Sequence, residues 1–249
     1  MTLRTNSGTD YEMKYATLLL VFVLNLHSTV YGQSFTATVK EMGKPKGDIV
    51  FTIDLTRTVD RDKKNVVSLT KEKENVMLEE KAVLDAKTNE ILQYDINSSQ
   101  TGEVGHLVFT SDKIEIEYIA KGKAPVKKTI KKPQNLAAPA NFEEFFQMNF
   151  EKLKKDRTMV VNFLVWDRQD TYEFKISYMG EVKLGNEVTQ SFKMNINSII
   201  ISTFVSPIRV WFSQDMKQIR QFSGRIGVKR KEASGKLSDF DGDVVYTYK

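Results

Sequence analysis

Residue types that commonly carry chemistry are scarce in this sequence. It contains no Cys, and its two histidines are His27 and His106. Without Cys, thiolate zinc sites, iron–sulfur clusters, disulfides and cysteine nucleophiles are excluded. His106 lies in an apolar, strand-like segment with no Gly-x-Ser-x-Gly motif beside it, so we interpret it as a structural histidine. The sequence therefore predicts no cofactor.

Acidic residues are the remaining candidates for catalysis or metal binding. Asp167 and Asp170 are candidates for the paired carboxylates that hydrolysis of an envelope polymer requires. Asp239, Asp241 and Asp243 alternate as in a calcium loop, but the Gly among them is misplaced for that motif, and Asp-Gly is common in hairpins. We therefore predict a protein that is not an enzyme and binds no metal, with a hydrolase as an alternative.

A basic segment is the largest charge feature. Its lysines suit contact with anionic lipid headgroups or another acidic surface, and the alternative is a solvated linker. Nucleic acid is not an expected partner, because no aromatic-rich basic motif accompanies the run. The candidate surface-contact residues are Lys121, Lys123, Lys127, Lys128, Lys131 and Lys132.

The N-terminal segment has the three parts of a secretory signal peptide. Lys14 precedes an apolar run from Ala16 to Leu26, and Val30 and Gly32 occupy the −3 and −1 positions before Gln33. We expect residues 1–32 to be removed on export, with an uncleaved anchor as the alternative.

Acidic residues at Asp10 and Glu12 are unusual before a signal peptide, so we expect translation to begin at Met13. Export without Cys favours the periplasm or outer cell envelope of a bacterium over a eukaryotic secretory route.

Alternating apolar and polar residues predict antiparallel strands along most of the chain. The pattern is clear at residues 49–56, 114–118, 171–178 and 191–197. Turn signals separate such segments, and their spacing predicts about eleven strands.

Residues 141–155 break this pattern and predict one amphipathic helix. Asn141 is the expected N-cap, and Glu143 and Glu144 in the first turn complement the helix dipole. An aromatic stripe must pack on an apolar surface, and the buried face of the sheet is the expected partner. The stripe consists of Phe142, Phe145, Phe146, Phe150 and Leu153.

The predicted fold is mainly β (α+β), a curved antiparallel sheet or half-barrel with this helix packed on it. Residues 34–120 form an N-terminal strand region, and residues 121–140 form a Lys- and Pro-rich connector. Residues 141–249 supply the helix and further strands, in one continuous domain with residues 34–120.

The C-terminal part resembles a family of exported bacterial envelope proteins of unknown function. The resemblance rests on the helical Phe pattern, on Pro207–Phe212, and on the spacing of Ile219, Phe222, Gly224 and Arg225. It implies no reaction and no catalytic residue. The layout is also similar to that of bacterial lipoprotein carriers, which implies architecture alone.

Together these features predict a non-enzymatic envelope protein that binds a lipid or other hydrophobic ligand in a hollow between helix and sheet. Asn149 lies within the apolar stripe, and Arg168 at a strand end suits a ligand headgroup. The alternative is a protein–protein interaction or structural module without a ligand. The candidate ligand-binding residues are Phe142, Phe146, Asn149, Phe150, Trp166, Arg168, Phe174 and Trp211.

Overall fold

The computed structural model describes residues 31–197 and 206–248, which form one large curved sheet and one α-helix, α1 (Phe142–Asp156). Short 3-10 helices lie at Pro139–Asn141 and Trp166–Arg168. The strands are β1 (Tyr31–Glu41), β2 (Phe51–Asp60), β3 (Lys63–Glu72), β4 (Asn75–Asp85), β5 (Ile91–Ser98), β6 (Glu103–Phe109), β7 (Lys113–Ile119), β8 (Val126–Lys131), β9 (Leu136–Ala137), β10 (Thr158–Val165), β11 (Asp170–Leu184), β12 (Glu187–Ile196), β13 (Ile208–Ser213), β14 (Ile219–Lys231) and β15 (Leu237–Tyr248).

Strands that are adjacent in the sheet are adjacent in sequence, with one exception. The order is β8-β7-β6-β5-β4-β3-β2-β1-β15-β14-β13-β12-β11-β10-β9. The exception is the central pair, in which β1 runs antiparallel to β15 and Phe35 lies opposite Tyr248. The short β9 pairs with β10 in parallel, whereas β2 and its neighbours pair antiparallel. Such a meander needs only short turns between its strands.

The sheet curls until its two edges come close. The edge strands β8 and β9 are consecutive in sequence and are joined by residues 132–135. A link of this length reaches roughly 15–18 Å when fully extended, so the edges cannot lie far apart. Lys128 Nζ on β8 lies 3.2 Å from Asp170 Oδ2 on β11. Gln100 exchanges two hydrogen bonds of 2.7 Å with the backbone of Lys229 on β14.

Two apolar clusters fill the interior of the curled sheet. The first is centred on the N-terminal strands around the fully buried Leu84 and Tyr94, and it includes side chains of β10, β14 and β15. The second lies beneath α1 around Phe146, which is 1% exposed. Phe222 and Tyr246 pack against both clusters, so the interior is continuous.

The predicted fold class is confirmed, but the predicted number of strands is too low. The described residues form 15 strands rather than about eleven. One reason is that the segment predicted as a connector, residues 121–140, contains β8, β9 and a 3-10 helix. Strand β8 is rich in Lys because it lies exposed at a sheet edge. Its side chains do not alternate between buried and exposed, so the alternating pattern of a strand is missing from its sequence.

Helix α1 begins at Phe142, directly after the predicted N-cap, and ends one residue later than predicted. Asn141 occupies the predicted N-cap position, but its side chain makes no capping hydrogen bond within the described chain. Its Oδ1 instead accepts a hydrogen bond of 2.9 Å from the N–H of Ala138, which fixes the preceding 3-10 turn. The helix ends at Arg157, whose left-handed backbone (φ 65°) lets its N–H donate to the carbonyl of Leu153.

The predicted signal peptide falls largely outside the described residues, although Tyr31 and Gly32 belong to β1. Within residues 31–197 and 206–248, no helix is long and apolar enough to cross a membrane.

Candidate functional site

A cluster of buried charges lies at the N-terminal end of α1. Arg57 on β2 is in phase with the buried Phe51 and therefore faces the interior. Arg57, Glu143 and Glu144 are 8%, 4% and 4% exposed. Arg57 Nη2 lies 2.7 Å from Glu143 Oε2, and its Nε lies 3.0 Å from Glu144 Oε1. One guanidinium thus binds two carboxylates of the same helical turn.

Lys64 on β3 adds a second cation to this cluster. Its Nζ lies 3.5 Å from Glu144 Oε1. The hydroxyl of Tyr248 donates to Glu143 Oε1 at 3.3 Å and accepts a hydrogen bond from a backbone N–H of β14 at 2.9 Å. We call Arg57, Lys64, Glu143 and Glu144 the ion cluster. Its charges sum to zero when both glutamates are ionised.

Burial and mutual attraction act against each other in the ion cluster. Burial raises the pKa of Glu143, although the nearby guanidinium opposes that shift. Burial alone would lower the pKa of Arg57, but its two carboxylate partners outweigh this and raise it. Burial also raises the pKa of Tyr246 and Tyr248, so both phenols are neutral. The guanidinium therefore stays charged and holds the first turn of the helix against β2.

Four side-chain atoms of the ion cluster make no hydrogen bond among the described residues, and each is almost inaccessible to solvent. Nε of Arg57 and Oε2 of Glu143 lie at ion-pair distance from a partner, and the other two atoms are Nη1 of Arg57 and Oε2 of Glu144. Both side chains line a hollow of about 250 Å³, together with Gly32, Gln33, Val59, Lys64, Glu143 and Gln147. Unpaired buried donors and acceptors are costly, and these atoms are closed off from the hollow as well as from bulk solvent.

A larger hollow of about 570 Å³ adjoins the first and shares Gln33 and Gln147 with it. The remaining lining residues are Phe150, Glu151, Asp215, Met216 and Lys217. We call the 250 Å³ hollow the inner hollow, the 570 Å³ hollow the outer hollow, and the two together the helix cleft.

The helix cleft is positioned by α1, by the β1–β2 pair and by the β13–β14 turn. Positions 143, 147 and 150 form one stripe along α1, as residues three or four apart on a helix do. Gln33 on β1 lies opposite Arg57 on β2, so their side chains share a face. Gln147 Nε2 donates to the carbonyl of Lys217 at 3.2 Å and so links α1 to the β13–β14 turn. In that turn, the hydroxyl of Ser213 and the N–H of Lys217 lower the pKa of Asp215.

The structure brings four of the predicted ligand-binding residues together, as packed rings. Phe142, Phe146, Phe150 and Phe174 belong to the cluster beneath α1. The ring centroid of Phe146 lies 5.0 Å from that of Phe142 and 5.1 Å from that of Phe192. These rings fill the described space between helix and sheet. Phe150 also lines the outer hollow.

The other predicted ligand-binding residues lie elsewhere. Trp166 packs against Tyr118, with ring centroids 6.0 Å apart. Trp211 lies on β13 one residue before Phe212, whose side chain packs beneath α1, so the indole points to the opposite face. Arg168 is exposed in a 3-10 helix. Asn149 donates a 2.8 Å hydrogen bond to the carbonyl of Phe145, within its own helix rather than to the sheet.

The predicted surface lysines lie along one edge of the sheet. Lys127, Lys128 and Lys131 are on β8, and all three are exposed. Lys127 pairs with Glu117 at 3.1 Å across the β7–β8 pair. The flanking members are the exposed Lys121 and Lys123 and the half-buried Lys132, which pairs with Glu90 at 2.9 Å.

The histidine and the acidic residues considered as catalytic or metal-binding candidates form hydrogen bonds and ion pairs with neighbouring side chains. The exposed His106 bonds to Asp95 through Nδ1. Asp239 and Asp241 both pair with Arg225. Within the described ranges, no group of three or more His, Asp or Glu side chains could hold a metal ion.

The ion cluster itself was missed by sequence analysis, which assigned Glu143 and Glu144 to the helix dipole alone. One signal was available: Arg57 continues the inward series of Phe51, Ile53 and Leu55 on β2. A charged residue in phase with an apolar series indicates a buried partner.

Comparison with known proteins identifies a fold. No protein-family model matches the chain, and no curated protein matches it. Among solved structures, it is similar to a beta-barrel-like protein of domain of unknown function DUF1849 from Brucella abortus. The TM-score is 0.50 at 8% identity, covering 88% of this chain and 95% of that chain. A DUF1329 family protein from Desulfovibrio piger matches with a TM-score of 0.26 at 9% identity, covering 90% of this chain and 85% of that chain. The first similarity shows a shared fold and no shared chemistry.

Proposed function

We propose that this chain is a non-enzymatic binding protein of the bacterial cell envelope whose ligand lies in the helix cleft. The observation that carries the proposal is the cleft itself, two hollows beside a packed helix that share Gln33 and Gln147 and are lined by charged, amide and aromatic side chains. Ligand sites are typically concave, with apolar walls and a few placed polar groups. The envelope location rests on the signal-peptide pattern of residues 13–32.

A binding role is supported over catalysis by the pairing of the carboxylates. General acid–base catalysis requires carboxyl groups that exchange protons with a substrate. Glu143 and Glu144 are instead held by Arg57 at 2.7 and 3.0 Å. Asp170, half of the carboxylate pair predicted for a hydrolase, binds Lys128 at 3.2 Å.

A hydrophobic ligand, as the sequence predicts, is supported at one place in the cleft. Phe150 and Met216 give the outer hollow an apolar wall. The rings beneath α1 pack against each other, so an acyl chain between helix and sheet would have to displace them. We therefore place an apolar portion of the ligand in the outer hollow.

A second proposed contact is that of the edge lysines with an anionic membrane surface. It is supported by the exposure of Lys121 and Lys123 in the turn before β8 and of Lys131 at the far end of that edge strand. The test is sedimentation with vesicles containing about one third anionic lipid, at low and high salt. Binding that is lost in a Lys121→Ala/Lys123→Ala/Lys131→Ala variant would support the contact, and equal binding would exclude it.

Native mass spectrometry tests the ligand proposal. The chain is purified from a bacterial periplasm, its native and denatured masses are compared, and the released molecule is extracted and identified. We expect an adduct on the unaltered chain that is lost in Gln147→Trp, which fills the cleft. Lys152→Trp, on an exposed position of the same helix, is the matched control and should keep the adduct.

An adduct retained in Gln147→Trp would contradict the helix cleft as its site. A clean apo mass would favour the interaction or structural module. Extracted lipid would support the hydrophobic ligand, and a water-soluble molecule would exclude it for that host.

A further inference from the structure

Gln33 connects the predicted export of the chain with the geometry of the helix cleft. It follows the expected cleavage position at Gly32, and its side chain lines both hollows. We infer that Gln33 becomes the first residue of the exported chain and cyclises there to pyroglutamate. The inference rests on the predicted cleavage and goes beyond the proposed function, because it assigns a covalent modification and needs no ligand.

The reaction uses only groups that Gln33 itself carries. Cleavage frees its α-amino group, part of which is uncharged near neutral pH. The uncharged nitrogen attacks the side-chain carbonyl carbon, Cδ. An N–Cδ bond forms, the bond from Cδ to the amide nitrogen breaks, and that nitrogen leaves as ammonia with one proton from the amine. The product is a five-membered lactam, and its formation is favoured because both reacting groups belong to one residue.

The side chain of Gln33 is available for this reaction in the folded chain. Gln33 is exposed, and its amide makes no hydrogen bond to residues 31–197 or 206–248. Gln147, the other glutamine at the junction of the two hollows, instead donates to the carbonyl of Lys217 at 3.2 Å. Gln33 can therefore turn its side chain towards its own nitrogen without breaking a hydrogen bond of the described chain.

The start of β1 can accommodate the ring. In the exported chain Gln33 would be the first residue of β1, opposite Arg57 on β2. A ring that includes the backbone nitrogen restricts this residue as proline is restricted, and proline is tolerated as the first residue of a strand. Unlike proline, the lactam keeps an N–H that can donate a hydrogen bond. We therefore expect the pairing of β1 with β2 from Ser34 onward to survive ring closure.

Cyclisation would change the charge and the shape of the helix cleft. Three cationic and four anionic side chains line the two hollows. A free α-ammonium group on Gln33 would balance them, whereas the lactam is uncharged and leaves a net negative charge. Ring closure also withdraws the amide of Gln33 from the junction of the hollows. The cyclised chain thus has a more open and more anionic cleft than the chain with a free amine.

The experiment is mass spectrometry of the chain exported to a bacterial periplasm, before and after incubation of the folded protein near neutral pH. We expect the mass of residues 33–249 less one molecule of ammonia. The N-terminal peptide should resist aminopeptidase until pyroglutamyl peptidase removes its first residue. Conversion should be at least as fast as in a synthetic peptide of residues 33–40, because no described hydrogen bond holds the side chain of Gln33.

Gln33→Asn is the matched control. It keeps a side-chain amide at the same position, but its ring would have only four members and would be strained. This variant should therefore keep its full mass and a free α-amine.

Two results would overturn the inference and leave the predicted cleavage in place. One is an unmodified mass of residues 33–249 that persists through incubation, and the other is conversion much slower than in the peptide. A first residue other than Gln33 would overturn the inference and the predicted cleavage together. The ligand proposal is tested by its own adduct, so its failure would leave this inference standing.

Discussion

Individual residues in the ion cluster show how charge is held inside an apolar fold. Arg57 is surrounded by the core-facing side chains of β1 and β2, and its Cζ lies 5.4 Å from the ring centroid of Phe35. Such a cation is tolerated because Glu143 and Glu144 neutralise it where it is buried. The same contacts fix the N-terminal end of α1 beside the inner hollow.

Arg57→Met should lower the free energy of unfolding by about 3–5 kcal/mol, because two buried carboxylates lose their main counter-charge. Urea unfolding of the purified chain measures the change. Arg57→Met/Glu143→Gln/Glu144→Gln should recover much of the loss, since no unpaired charge remains. Equal losses in the single and triple variants would contradict this account and attribute the effect to packing.

Glu80 predicts a pH dependence of stability. It lies on β4 in phase with the buried Leu78 and Ala82, and accepts a hydrogen bond from the hydroxyl of Tyr94. Burial raises the pKa of Glu80 above 4.5, although the bond from Tyr94 opposes the shift. The unfolded chain therefore releases this proton first as pH rises. Stability should fall between pH 4.5 and the folded-state pKa, by at most about 1.4 kcal/mol per pH unit.

Glu80→Gln should abolish this pH dependence of stability. Tyr94→Phe should enlarge it, because the hydrogen bond that opposes the rise in the pKa of Glu80 is lost. The measurement is urea unfolding of each variant between about pH 4 and pH 8, relative to the unaltered chain. If the free energy of unfolding of Glu80→Gln differed from that of the unaltered chain by the same amount at every pH, Glu80 would have the same pKa in the folded and unfolded chains.

At the scale of elements, α1 was the most predictable part of the molecule and β8 the least. Four Phe at helical spacing leave one arrangement that buries them, and the structure has that arrangement. Strand β8 has almost no buried face, so its sequence carries no alternation to detect. Its pairing follows from β7, whose Ile114 and Ile116 lie opposite Ile130 and Lys128.

The lysines of β8 should prevent association between sheet edges, because like charges oppose strand pairing between molecules. Lys127→Thr/Lys131→Thr keeps strand propensity and removes two charges from this edge. We expect concentration-dependent self-association, measured by size exclusion with light scattering. Lys152→Thr/Lys155→Thr removes the same charge from exposed positions of α1 and should stay at the mass of the unaltered chain. Self-association of both variants would instead indicate an effect of net charge.

At the scale of the whole molecule, alternation predicted a curved antiparallel sheet, and that prediction is confirmed. Alternation carries no information about which distant strands meet, so the central pairing of β1 with β15 was not predicted. The helix cleft was missed for the same reason. Gln33, Arg57 and Gln147 come from three separate elements, and only the closed fold brings them together.

Export is a prediction about the entire chain. Expression of the full sequence in a bacterium should give a periplasmic product whose intact mass corresponds to residues 33–249, because cleavage is expected after Gly32. Mass spectrometry of the periplasmic and cytoplasmic fractions measures this. A cytoplasmic product, or a mass that still includes residues 13–32, would contradict the predicted signal peptide.

The position of the β1–β15 pair, with Phe35 opposite Tyr248, places the two ends of the described chain side by side. A circular permutant that joins these ends and opens at residues 132–135 would list all strands in their spatial order. Its longest-range pairing would become a local hairpin, so stopped-flow refolding should be faster while the sheet stays the same. In the natural order, deletion of either β1 or β15 would instead divide the sheet at its centre.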